Sequence, residues 1–265
     1  MNGPWHSYVY AVGRDGGDLD AVAAELTGLR GASLRTVAED GLTALVSSVP
    51  ADDFGTDGLT ERMADLTELE ALARAHHEVV EAAHARTTVL PMRLATVYLD
   101  DTRVSAMLSE RALEFGELLT WLDGHAELGV KVYADPVRAQ VEAAPAAPAA
   151  PSTGSGRAYL RRRRDQRRLR DDAYRAAGAV AGAVRDTVAP LSRGVVAHRP
   201  QQGELAAGPG ENIANEAYLV PRTRVREFHQ ALAGLTGSDA GVRVEITGPW
   251  APYSFATRPA ESGAA

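Results

Sequence analysis

The sequence contains no cysteine. Disulfides, thiolate catalysis and cysteine-based zinc sites are therefore excluded, and the composition fits a reducing compartment. Aromatic residues make up only 6% of the chain. No apolar run approaches the roughly 20 residues that span a bilayer. The opening MNGPWHSYVYAV lacks a basic region followed by an apolar stretch, so no secretory leader is expected. Lysine is almost missing: Lys131 stands alone against 27 arginines. That balance, with abundant alanine, fits a GC-rich bacterial genome. The net charge of −7 gives no general attraction to nucleic acid or anionic membrane.

What is present is a chain of 265 residues with 45% hydrophobic and 24% charged content, enough for one large domain or two small ones. Ser7–Val12 alternates as a strand, and Asp18–Leu29 carries apolar residues at helical spacing. Strands follow near Ser33–Val37 and Leu42–Val49, joined by the turn sequence Ala-Glu-Asp-Gly. The spacing then predicts a helix from a Thr60 cap to about Arg86, with Met63, Leu66, Leu69, Ala73, His77 and Val80 on its apolar face. Val89–Asp100 reads as a strand that Pro91 confines to a sheet edge.

Residues 103–123 predict an amphipathic helix and Gly129–Ala134 a strand. Residues 143–156 are Ala/Pro/Ser/Gly-rich and read as a flexible linker. A long helix is expected from Arg157 to Ala189, its apolar face formed by Leu169, Ala173, Ala177, Val180, Val184 and Val188. Strands at Gly194–His198 and Ile213–Val220, a helix from Arg222 to Leu235 and a strand at Val242–Thr247 complete the chain. Both halves read β-α-β-β-α-β, the ferredoxin-like order of four antiparallel strands with two helices on one face. Right-handed crossovers put the first and third strands in the centre. The expected fold class is α+β: two tandem ferredoxin-like domains. They cover 1–101 and 128–247, with a connecting helix at 102–127 and an aromatic C-terminal tail at 248–265.

Three features carry candidate chemistry. His77, Glu81 and His84 fall on one helix face at i, i+4 and i+7, a spacing that suits a metal. The HExxH pattern is not met, and His77 continues the apolar stripe, so we read a core or boundary histidine and no metal site. Residues 157–175 hold nine arginines against three aspartates, a net +6 that leaves −13 for the remainder. Such a patch suits phosphates or an acidic protein surface. It comes without an aromatic platform or a groove-reading motif, which disfavours nucleic acid. The tail GPWAPYSF places Trp250, Tyr253 and Phe255 within six residues. Rings of that size either bury themselves between the two domains or offer a partner a contact. Phosphate-cradling glycine loops and a GxSxG elbow are absent, and no carboxylate pair is singled out by spacing. No catalytic, cofactor-binding or metal-binding residue is identified, and the chain is not expected to be an enzyme.

Four phrases in order resemble a known family. VLPMRLATVYLDD (89–101), LDGHAELGVKVYAD (122–135), the GRAYLRRRR helix start (156–164) and GPWAPYSFA (248–256) look like those of the GvpF/GvpL family of gas-vesicle proteins. Leu94-Ala95 stands where Phe-Gly is usual in that family, and Ala251 where proline is usual. The resemblance implies a non-enzymatic minor protein needed to build gas vesicles in the cytoplasm. It implies binding to the small shell-forming protein and to other accessory proteins, without cofactor or membrane. Family members are described as having ferredoxin-like domains. The contacts to expect are the unpaired strand edges, any exposed ring among Trp250, Tyr253 and Phe255, and Arg161, Arg162, Arg163 and Arg164 as a charged steering patch. Two other classes compete: a nucleic-acid binder using the arginine helix, and a small-ligand regulatory module.

Overall fold

The computed structural model describes residues 4–55, 58, 64–143, 156–200, 210–235 and 241–257. Thr60, Met63, most of the 143–156 linker and the last residues of the tail lie outside them. The fold is mixed α/β with antiparallel sheets. It divides into two compact units, one of residues 1–126 with 250–265 and one of residues 127–249.

In the first unit, strand β1 (Trp5–Arg14) leads through helix α1 (Asp18–Glu25) to β2 (Leu34–Glu39) and β3 (Leu42–Pro50). Asp40 and Gly41, at φ 50° and 74°, close the β2–β3 hairpin, which explains why this turn was readable from Asp-Gly alone. A short helix α2 (Ala51–Phe54) precedes α3 (Leu66–Arg86). The Asp65 side chain caps α3, accepting from the N–H groups of Thr67 and Glu68 at 2.8 and 3.2 Å. That satisfies donors which the first helical turn leaves orphaned.

The segment expected as one strand after α3 is two short ones, β4 (Val89–Pro91) and β5 (Val97–Tyr98), both pairing antiparallel with β1. Residues 92–96 loop out between them. The strand order is β2-β3-β1-β4, so Pro91 does sit on an edge strand.

Residues 102–127 do not form one connecting helix. The chain breaks at Arg111 into α4 (Asp101–Glu110) and α5 (Ala112–Leu122), and both belong to the first unit. Helix α4 contacts β2, β3 and β5, and α5 contacts β1 and β4. Successive strand residues point to opposite faces. Tyr8 and Tyr10 meet α3 through His76, whereas Ser7 meets Asp101 of α4. The sheet therefore has helices on both faces, and Ser7–Gly13 of β1 is buried throughout. The physical reason is the apolar stripe of the two helices. Val104, Leu108, Phe115, Leu119 and Leu122 are all fully or almost fully buried. Arg35 clamps the start of α4, its Nε and Nη2 donating to the two Asp101 oxygens at 2.9 and 2.6 Å. This bidentate pair, with Ser7 also donating to Asp101, holds that carboxyl below the ordinary carboxylate range.

The second unit contains β6 (His125–Ala134, entering from the first), α6 (Pro136–Ala143), α7 (Gly156–Val188), β7 (Gly194–His198), β8 (Glu211–Pro221), α8 (Val225–Ala233) and β9 (Val242–Trp250). Its strand order is β7-β8-β6-β9, with β7 and β8 antiparallel. Ala177, Val180, Val184 and Val188 of α7 join Phe228 and Leu232 of α8 over Val130, Val132, Tyr218 and Val220 of the sheet. The helical spacing of α7 thus gives its core face directly. Arg185 of α7 donates to the buried Glu216 of β8, whose other oxygen accepts from Tyr218. The last strand runs to Trp250, beyond the expected end at Thr247; it lies at a sheet edge, a place where proline is tolerated.

Leu108→Ala tests the placement of α4. A fully buried leucine against a sheet should cost about 2–5 kcal/mol in chemical denaturation. A loss within about 0.5 kcal/mol, as for a surface site, would mean that α4 is not part of this core.

Candidate functional site

The family-like phrases at 89–101 and 248–256 meet in the first unit, around residues 92–96. Strand β1 carries Tyr8 and Tyr10, whose side chains are fully buried. Buried phenols need partners, and helix α3 supplies one in His76. Its Nδ1 lies 2.9 Å from the Tyr8 hydroxyl and its Nε2 3.1 Å from the Met92 carbonyl oxygen. The Ala95 N–H lies 3.0 Å from the same Tyr8 oxygen.

One proton arrangement satisfies all of these groups. A carbonyl can only accept, so Nε2–H donates to Met92. The unprotonated Nδ1 then accepts from Tyr8 O–H, and the Tyr8 oxygen accepts from Ala95 N–H. Burial enforces the neutral imidazole, lowering the His76 pKa to about 4, and it raises the Tyr8 phenol above its ordinary value. Tyr10 stacks on His76 with ring centroids 5.6 Å apart. Its hydroxyl bonds Ser47 at 2.8 Å and accepts from Leu29 N–H at 2.8 Å.

The loop is fixed along its backbone as well. Met92 N–H donates to Tyr10 O at 2.9 Å, and Val9 N–H to Thr96 O at 2.9 Å. Thr96 closes a turn on the Arg93 carbonyl through its N–H at 3.1 Å and its hydroxyl at 2.7 Å. Ala95 takes φ 63°, a left-handed conformation that glycine accepts without cost and alanine does not. This is the position where glycine is usual in the family that the sequence resembles.

The tail packs on the same unit. Ala251 N–H donates to Glu81 Oε1 at 2.7 Å, which anchors the chain to α3. Phe255 is fully buried, edge-on to Trp121 of α5 at 5.7 Å. Tyr253 is half-buried, 6.0 Å from the His77 ring. Trp250 remains 41% exposed, with its ring 5.3 Å from His77. The three rings therefore divide: Phe255 is core, Tyr253 lies at the boundary, and Trp250 alone offers a large exposed face. Phe255 packs on α5 and the other two rings beside α3, both helices of the first unit.

His77, expected as a core or boundary histidine, lies at the boundary: it is half-exposed beside Trp250, while the buried stripe of α3 runs through His76, Val79, Val80, Ala83 and His84. His77 Nδ1 stands 3.8 Å from Glu81 Oε1, whose carboxylate is engaged by the tail. Among the described residues, no group of three or more potential ligands is placed to hold a metal.

Between the loop, α5 and the tail lies a cleft of about 450 Å³. Leu90, Pro91 and Phe115 form apolar walls, and Arg93, Tyr98 and Arg111 bring polar groups. The Arg111 guanidinium lies 4.3 Å from the Phe115 ring centroid and is held bidentately by Glu114 at 2.9 and 2.8 Å. Desolvation raises the Tyr98 phenol above its ordinary value.

The arginine run stands elsewhere, on α7 in the second unit. Arg161, Arg163 and Arg164 are exposed, and Arg162 lies in the same helix. Leu160, itself exposed, lines an open groove with Arg163, Arg164 and Arg167. Among the residues of α7 whose burial is described, Ala173 is the first buried one, so the described arginines from Arg161 to Arg170 precede the packed part of the helix. None of Arg161, Arg163, Arg164, Arg167 or Arg168 has an ion-pair partner among the described residues. Like charges at i,i+3 and i,i+4 cost about 0.2–0.5 kcal/mol per pair, so these turns favour an anionic neighbour.

Sequence reasoning missed His76, Tyr8 and Arg93. Its available signal was Tyr8-Val9-Tyr10 on a strand, which places two hydroxyls on one buried face and demands polar partners there.

Comparison with known proteins bears on both regions. The family described as gas vesicle synthesis protein GvpL/GvpF matches residues 6–257. A Streptomyces gas vesicle protein L is 43% identical over 94% of this chain and 92% of its own length. A Streptomyces gas vesicle protein F is 31% identical over 84% of this chain and 87% of its own. The crystal structure of gas vesicle protein GvpF from an Anabaena species superposes with a TM-score of 0.67 at 22% identity, covering 96% of each chain, and shows the shared fold.

Two variants test the buried relay. The unfolded chain protonates His76 near 6.5, whereas the folded chain resists until about 4. Stability is thus complete above pH 6.5 and falls as the pH drops toward 4, by a total on the order of 3 kcal/mol. His76→Gln, which can still donate to Met92 and accept from Tyr8, should flatten that slope in denaturation series; an unchanged slope would contradict the assignment. Ala95→Gly should stabilise by about 1 kcal/mol through relief of the left-handed alanine. A loss of stability would mean that chain entropy outweighs the strain.

Proposed function

Because the chain belongs to the GvpL/GvpF family of gas vesicle synthesis proteins, we propose that it is a non-enzymatic assembly factor that binds the small shell-forming protein and other accessory proteins while the gas vesicle is built. The observation that carries this reading is the match over residues 6–257. A gas-associated role follows from the family itself; the direct shell contact is the added step. The protein acts in the cytoplasm, at the growing vesicle, and needs no cofactor or metal. No helix among the described residues is long and apolar enough to cross a membrane.

The physical logic is protection. A shell that holds gas needs a water-repelling inner face, so its subunits carry apolar surface that aggregates before assembly. A helper that covers this surface, or templates its packing, prevents that loss. Each unit reads as a ferredoxin-like βαββαβ body, a reading supported by the two strand orders with the first and third strands central. Such bodies expose strand edges, and β7, with half-exposed or exposed residues throughout, is suited to strand addition. Trp250 supplies the exposed ring, Tyr253 its half-buried flank, and Phe255 the buried support. Arg161, Arg162, Arg163 and Arg164 steer acidic partners toward α7.

A pulldown with the small shell-forming protein at low and high salt tests this reading. Binding should survive high salt and weaken about tenfold with Trp250→Ala, as for an aromatic anchor. The triple change Arg161→Gln, Arg163→Gln and Arg164→Gln should reduce binding at low salt only. Binding that vanishes with salt would move the contact to α7. No binding by the folded protein in either condition would remove the direct shell contact.

A further inference from the structure

The 450 Å³ cleft of the first unit contains a cation that has no counterion among the described residues. Arg93 leaves the 92–96 loop as an exposed side chain that lines the cleft, and its guanidinium has neither hydrogen bond nor ion pair among the described residues. Arg111, the other guanidinium of the cleft, is matched by Glu114. Among the described residues that line the cleft, the pairing of Arg111 leaves Arg93 as the one unmatched positive charge.

The backbone beneath Arg93 is anchored at both ends of the loop by β1 and at its centre by the Tyr8–His76 relay. Thr96 locks the Arg93 carbonyl twice. A side chain mounted on a fixed backbone loses less freedom on binding than one on a free loop. None of these bonds involves the guanidinium itself, so the structure spends its restraints on positioning a group that it leaves unused. The cleft volume also lies within the usual range of ligand pockets, about 300–1,000 Å³.

We propose that this cleft binds a carboxylate carried on an apolar or aromatic stem, with Arg93 as the anchoring cation and Phe115 beside Arg111 as the wall for the stem. Three observations select that chemistry. A planar guanidinium pairs with a carboxylate through two parallel N–H···O bonds. A single unmatched charge suits a monoanion, whereas a phosphate monoester brings about −1.5 to −2 at neutral pH. The walls at Leu90, Pro91 and Phe115 reward an apolar stem and offer a strongly hydrated anion nothing. Tyr98 supplies a further hydroxyl in the lining. This inference goes beyond the assembly role and does not depend on which gas-vesicle protein binds. An acidic residue flanked by apolar residues in a partner segment, or a free small acid, presents the same group.

The test is NMR titration of the full chain, reading the arginine Nε–H signals of Arg93 and Arg111. The probes are 3-phenylpropionate, the capped peptide Ac-Ala-Phe-Glu-Leu-NH2, its Gln-for-Glu counterpart and inorganic phosphate. Both carboxylate probes should shift the Arg93 signal saturably, the Gln peptide should not, and phosphate should bind at least tenfold more weakly. Arg93→Gln, an exposed change that leaves the fold intact by its amide spectrum, should lower carboxylate affinity at least tenfold. The tighter of the two carboxylate probes then identifies the source, a protein segment or a free acid. The proposal is overturned by the absence of saturable shifts with either carboxylate. It is equally overturned by an equal response to the Gln peptide, by phosphate binding as tightly, or by unchanged affinity in Arg93→Gln.

Discussion

A neutral imidazole inside the first unit sets the geometry of everything around it. His76 has to donate to the Met92 carbonyl and accept from Tyr8, and Tyr8 has to accept from Ala95. Protonation at Nδ1 would remove the acceptor that Tyr8 needs and leave a charge in an apolar surround. The relay joins a central strand, the longest helix of this unit and the 92–96 loop, so the loop cannot shift without breaking buried hydrogen bonds. The tail docks on the same helix through Glu81 and the neighbouring His77. The exposed groups of this surface, Arg93 and Trp250, therefore inherit their positions from the hydrogen-bonded core around His76. Such a surface is preorganised, and binding through it wastes little free energy on ordering.

Much of this was legible in the sequence, in proportion to how local the signal was. The Asp40-Gly41 hairpin, the apolar face of α7 and the edge placement of Pro91 each follow from a residue's own backbone preferences or a simple period. The α3 stripe was read one residue out of phase. With two adjacent histidines and many alanines, helical spacing does not distinguish His76 from His77; only Tyr8 and Tyr10, distant in sequence, decide it. The helix at 102–127 was read correctly as amphipathic, but an amphipathic stripe does not name the surface that covers it. The second face of the first sheet claims it because β1 is apolar on both sides, from Tyr8 to Val12, and needs two covers.

The candidate contacts divided for a similar reason. Trp250, Tyr253 and Phe255 are equivalent in a sequence, since aromatic rings suit cores and interfaces equally. Packing separates them: Phe255 is enclosed against Trp121, while Trp250 stays at the surface. Arg93 drew no attention beside the arginine run of α7, because charge density is visible in a sequence and the absence of a counterion is not. The two cationic features differ in kind. The α7 arginines form a dense patch suited to long-range steering, whereas Arg93 is a single charge at the wall of a shaped cleft, suited to short-range recognition.

The central claim is that the first-unit surface built on the His76 relay is a recognition surface. Hydrogen exchange of the full chain, with and without the small shell-forming protein, tests it most directly. The account predicts added protection at the amides of residues 93–96 and 250–257, with the core strand β1 unchanged. Protection confined to other segments, with these amides exchanging as in the free protein, would contradict it.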